Sequence, residues 1–159
     1  RHSVKNVGRL HRLLLVGDGE LRQEVEALVS ALGLEDAVEM TGKRCDIPQL
    51  LASMDIFVLA SRREGFPISI IEAMACGRPV VATDVGGVRE IIDDGVDGIV
   101  VPPEDPAALA SAMLGLVRDS DCRSRMGERA LFKAAGNFSD QTMIGNYMRL
   151  FTSFGGARA

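Results

Sequence analysis

Apolar residues along this chain fall in short runs separated by longer stretches with helical spacing. Leu13–Val16 is a four-residue apolar run ending at Gly17, which predicts a buried strand. Leu21, Val25, Leu28, Val29 and Leu32 then recur three and four apart, one face of a helix that Gly33 can close. Residues 38–41 predict a second strand, and Asp46 can cap a short helix carrying Leu50, Leu51 and Met54. Residues 56–60 and Val80–Thr83 predict two further strands. The helix between them has Pro67 in its first turn and Gly77 at its end. Residues 88–94 predict a helix and 99–101 a fifth strand. Asp105-Pro106 reads as an N-cap and first helical residue, opening a helix to about Arg118. Two more helical segments are expected near 120–135 and 139–153.

Strands alternating with helices imply an α/β fold: a parallel sheet with helices on both faces. Ligands of such sheets sit at the carboxyl ends of the strands. The loops 17–19, 42–44, 61–66 and 85–87 all follow strands and should gather on that edge. One domain over 13–154 is expected, with a poorly defined lead-in at 1–12 and a tail at 155–159.

Composition narrows the function. Nearly half the residues are apolar and a quarter charged, ordinary for a globular protein. A formal charge of −4, no Trp and few aromatics argue against a nucleic-acid binder. Cys45, Cys76 and Cys122 form neither a redox pair nor a zinc pattern, which suits a reducing compartment. Cys76, on a helix expected to be buried, reads as packing. Met40, Met54 and Met74 read as core fillers, and His2 and His11 as exposed residues without ligand partners.

Glu64 and Glu72 carry the candidate chemistry. They stand eight apart, one in the loop before the Pro67 helix and one inside it, among Ile, Ala, Met and Cys. A helix apolar all round should be buried, where a carboxylate needs partners. Adjacent sugar hydroxyls would satisfy one, and the free N–H groups at the helix start favour phosphate. The plain alternative is a solvated Glu64 and a Glu72 paired with a core Arg.

The residues around these two glutamates resemble a known family. Glu64-Gly65-Phe66, Glu72-Ala73-Met74-Ala75, Gly77 and Pro79-Val80-Val81-Ala82 match the signature of retaining GT-B glycosyltransferases of family 4, the glycosyl transferases group 1. Leu14 to Gly19, Thr41 to Pro48, Asp55 to Ser61, Val85 to Ile92 and Gly95 to Val101 match further family motifs in the same order, over roughly residues 11 to 152. The resemblance implies a Rossmann-like C-terminal half of a GT-B fold. It implies transfer of a hexosyl group from a nucleoside-diphosphate sugar to a hydroxyl acceptor, with retention and no metal, in polysaccharide or glycolipid synthesis.

It also implies roles. Glu64 would approach the donor sugar and is the catalytic candidate. Glu72 would accept from the nucleotide ribose. Gly65 and the amides of Phe66, Ile68 and Ser69 would meet the diphosphate, since Pro67 has no N–H. Lys43 and Arg44, after Gly42, would frame the base, or form only a solvated basic turn. Gly17, a donor-binding candidate on the same strand edge, is expected to serve the turn first. Asp18 is expected to stabilise its turn.

The family's first strand and helix, with an Arg and a Lys that grip the diphosphate, find no match, and Arg9 is not assigned that role. A front-truncated donor domain is therefore expected, with a glycan or lipid-linked acceptor met by a missing N-terminal domain. The parent would be cytoplasmic, with peripheral association at the inner membrane face conceivable. A non-catalytic nucleotide-binding remnant or subunit, and a sugar-nucleotide epimerase of the same fold, remain alternatives.

Overall fold

The computed structural model describes residues 11–155, which divide between two units, Arg1–Ile47 and Pro48–Ala159. The expectations for the start of the lead-in, including His2 and Arg9, and for the tail beyond 155 lie outside the described residues.

The first unit is a strand–helix–strand: β1 (Leu13–Val16), α1 (Arg22–Leu32) and β2 (Val38–Gly42), with β1 and β2 parallel. Gly33 closes α1 in a left-handed conformation at φ 65°, its N–H bonded to Ser30 and that of Leu34 to Val29. These two bonds satisfy carbonyls that the helix end would otherwise leave open. None of the described residues in this unit is buried, and Leu28 and Leu32 of α1 are exposed.

The second unit contains α2 (Ile47–Ser53, whose first residue is the boundary), β3 (Phe57–Leu59), α3 (Ile68–Ala75) and β4 (Val80–Thr83). It continues through α4 (Val88–Ile91), β5 (Gly98–Val101), α5 (Pro106–Arg118), α6 (Ser120–Asn137) and α7 (Asp140–Gly155). Its sheet is parallel in the order β3-β4-β5. All four residues of β4 are buried. Successive strand side chains face opposite ways, so burial of all four means cover on both faces. Val81 joins Val101, Leu116 and Met126 in a buried cluster against which Val58, Ile99, Leu109 and Met113 pack. Asp105 caps α5 as expected, accepting from the N–H groups of Ala107 and Ala108 at 3.1 and 2.9 Å.

The fold is thus parallel sheets with helices around them, a pair of strands in the first unit and a triplet in the second. Four local expectations change. Asp46 does not cap α2, because both its oxygens are taken by Arg44 at 2.8 and 2.6 Å. Pro67 is the N-cap of α3, one residue before its first turn. The helix at 88–94 stops at Ile91: Ile92 is extended, and the Asp93 N–H donates to the Asp97 side chain at 2.9 Å instead of continuing the helix. Finally, α3 is not buried all round.

Asp97 has a second task. It is 2% exposed and faces Lys133 of α6, whose Nζ lies 3.0 Å from Asp97 and 2.7 Å from Asp93. Burial works against the lysine's charge. Its bonds to Asp93 and Asp97 outweigh that and hold its pKa above the ordinary lysine value. No helix among the described residues is long and apolar enough to cross a membrane.

Candidate functional site

Glu64 lies in the loop between β3 and α3, at the carboxyl edge of the three-stranded sheet. It is half-buried, and the Ser61 hydroxyl donates to its Oε1 at 2.6 Å. The loop is fixed to β4 and the turn that follows. Thr83 Oγ1 donates to the Ser61 carbonyl at 2.6 Å, and the Gly87 N–H donates to the Gly65 carbonyl at 2.8 Å. Gly86 lies against the Glu64 carbonyl so closely that a Cβ there would overlap it, and its φ of +52° also suits glycine. Only glycine allows the two loops to meet this way. A Cβ on Gly87 would in turn sit 2.9 Å from the Phe66 ring.

Phe66 is half-exposed and meets Phe138, at the end of α6, edge to face with ring centres 6.4 Å apart. Beyond it, Ile68 and Ser69 stand in the first turn of α3, where N–H groups have no intrahelical carbonyl. The positive end of the helix dipole lies at the same place. At the other end, Gly77 and Arg78 donate to Met74 and Ala73 at 2.9 and 3.0 Å and close the helix.

Glu72 departs from expectation. Ile70, Ala73 and Met74 form the buried side of α3, while Ile68, Glu72 and Ala75 are exposed. Residues four apart share a helix face. The Glu72 carboxylate therefore needs no core partner. It stands in a row with Ile68, one turn and about 6 Å along the axis from the free amides. A cavity of about 300 Å³ on the same strand edge is lined by Ser61, Arg62, Thr83, Glu104 and Leu109 among others.

Within the first unit, Gly17 and Gly42 meet at the ends of β1 and β2, with the Gly17 N–H donating to the Gly42 carbonyl at 2.9 Å. Asp18 does stabilise its turn, accepting from the Gly19 N–H at 2.9 Å. Lys43 and Arg44 follow, both exposed. The Arg44 guanidinium forks onto Asp46, a hydrogen bond that holds the carboxyl of Asp46 below the usual range. The structure thus brings Glu64, Gly65, Phe66, Ile68, Ser69 and Glu72 onto one loop and helix start, and Gly17, Gly42, Lys43 and Arg44 onto a second strand edge.

The family model for glycosyl transferases group 1 matches residues 2–119. The chain belongs to this family. Over 140 residues it is 35% identical to the N-acetyl-alpha-D-glucosaminyl L-malate synthase of Bacillus anthracis, covering 88% of this chain and 37% of that protein. Over 134 residues it is 40% identical to the alpha-D-kanosaminyltransferase of Streptomyces kanamyceticus, covering 83% and 35%. The chain therefore spans little more than a third of these curated relatives. Among solved structures it is similar to Anabaena Alr3699/HepE in complex with UDP, with a TM-score of 0.85 at 32% identity over 90% of this chain and 41% of that one. The same protein with UDP-glucose gives 0.82 at 33% identity over 89% and 41%. The chain has the fold of the C-terminal half of a GT-B group 1 glycosyltransferase.

Sequence reasoning named Ser61 only as part of a motif and gave Thr83 no role. The hydrogen bond of Ser61 is local, three residues from Glu64, and a polar side chain so close to a candidate carboxylate was a usable signal. Thr83 had no such signal, because its partner is 22 residues away.

Proposed function

We propose that this chain is the donor-binding part of a retaining group 1 glycosyltransferase, of the family 4 type. It takes a nucleoside-diphosphate sugar and serves transfer of a hexosyl group to a hydroxyl acceptor in polysaccharide or glycolipid synthesis. The observation that carries the reading is the line from Glu64, through the first-turn amides of α3, to exposed Glu72. A carboxylate accepts from sugar hydroxyls, free amides donate to a diphosphate, and a second carboxylate one turn on accepts from a ribose. HepE holds UDP and UDP-glucose, so uridine is the first base to try.

In this reading Glu64 and its loop carry the sugar. The N–H groups of Phe66, Ile68 and Ser69 stabilise charge on the departing diphosphate, and no metal is required. The acceptor, a glycan or lipid-linked glycan, is met by sequence beyond these residues, as the partial span of the relatives suggests. The chain alone then binds donor without transferring its sugar.

The test is titration of the chain and two variants with UDP and UDP-glucose. Glu72→Gln should weaken both ligands about tenfold or more, the size of a lost hydrogen bond to a charged group. Glu64→Gln should weaken UDP-glucose more than UDP. Equal losses of both ligands in both variants would contradict the assignment, and robust sugar transfer by the chain alone would contradict the division of labour.

A further inference from the structure

We propose that Ser61 is a positioning residue for Glu64, holding its carboxylate ready for the donor sugar before the sugar arrives. The inference rests on the donor-site reading above and adds to it a residue that touches neither ligand nor reacting atoms.

The geometry is specific. The 2.6 Å contact from the Ser61 hydroxyl to Glu64 Oε1 is in the range of a charge-assisted O–H···O⁻ bond. A serine hydroxyl has one proton, so donating it to Glu64 commits the side chain. Among the described hydrogen bonds, Glu64 Oε2 takes part in none, and it is left to accept from a ligand. Ser61 is itself anchored: its carbonyl accepts from Thr83 Oγ1 at 2.6 Å, and Thr83 is 5% exposed at the end of β4. Downstream of Glu64, the Gly65 carbonyl is held by the Gly87 N–H at 2.8 Å. The main chain on both sides of Glu64 is thus tied to β4 and its following turn. The remaining freedom is in the glutamate side chain, and the Ser61 hydroxyl removes it.

A long carboxylate side chain in a loop otherwise samples several rotamers, and ordering it at the moment of binding weakens the complex. Pre-ordering by Ser61 should therefore act on the sugar and leave the nucleotide alone. It should also act only through Glu64.

The experiment compares wild type, Ser61→Ala, Ser61→Thr, Glu64→Ala and the Ser61→Ala/Glu64→Ala double variant, each titrated with UDP and with UDP-glucose. Ser61→Ala should lower affinity for UDP-glucose about tenfold while UDP stays within about twofold. Ser61→Thr, which keeps the hydroxyl, should restore UDP-glucose binding. Ser61→Ala should add no further loss once Glu64 is Ala, because no acceptor is left for the hydroxyl to hold. Equal loss of both ligands would mean that Ser61 merely supports the loop, and no loss of either would mean that the hydroxyl does nothing; each overturns the proposal. A further loss on the Glu64→Ala background would overturn it as well. Wild type that binds neither UDP nor UDP-glucose would instead overturn the uridine donor reading, and this proposal with it.

Discussion

The two units of this chain are written in the same grammar and end up unequally buried. Each has an apolar parallel strand, a glycine-closed helix and a strand that follows it. In the first unit no described residue is buried, and Leu28 and Leu32 stand 58% and 61% exposed. In the second, all of β4 is buried, and α5 and α6 contribute to the cluster around Val81 and Leu116. An apolar run specifies that a strand can form. Whether it becomes a core depends on the layers laid over it. The Glu64–Glu72 loop and helix sit on the layered unit, a sound base for side chains that must be held to fractions of an ångström.

Matched substitutions in the two units test this inequality. The largest effect is expected for Leu116→Ala, about 3–5 kcal/mol, because Leu116 is 1% exposed and would leave a cavity. Leu28→Ala should cost under about 1 kcal/mol. Chemical denaturation followed by circular dichroism measures both, and similar losses would break the comparison.

The ion pairs come next. Lys133→Met should cost about 3 kcal/mol, since it strands a buried Asp97, whereas Arg22→Met breaks only solvent-accessible pairs with Glu26 and Asp18 and should cost under about 1 kcal/mol. The pH sign follows from the raised pKa of Lys133. The folded state binds this proton more tightly than the unfolded one. The cluster's contribution is therefore complete below the ordinary lysine pKa and is lost as pH rises through the raised value. Stability of the wild type should fall there more steeply than that of Lys133→Met, measured by denaturation at stepped alkaline pH.

Glycine substitutions give the finest test. Gly86→Ala should cost about 2–3 kcal/mol and disturb the Glu64 loop, because the new Cβ would meet the Glu64 carbonyl as well as a left-handed backbone. Gly33→Ala, with nothing near its Cβ, should cost about 1 kcal/mol from backbone conformation alone. Thermal melts rank the two, and equal costs would mean that the close approach at Gly86 carries no weight.

Most of the elements were legible because short apolar runs and helical spacing are local signals. Asp105-Pro106 and Gly33 fixed their helix ends as read. What was not legible depended on which side chains find partners. The end of α4 is set by Asp97, whose carboxylate takes the Asp93 N–H. The exposure of Glu72 is not legible either: α3 is apolar nearly throughout, and only its packing through Ile70, Ala73 and Met74 decides which side is covered. In the candidate site, the glutamate spacing was plain in sequence. The hold of Thr83 and Gly87 on that loop was not, because hydrogen bonds across some twenty residues leave no local pattern.

The most direct single measurement is a calorimetric titration of the chain and of Glu72→Gln with UDP, GDP and ADP and their sugar conjugates. Saturable binding that prefers one base and weakens about tenfold or more in Glu72→Gln is the expected result. No binding by the wild type, or binding indifferent to Glu72, would contradict a nucleotide-sugar site on α3.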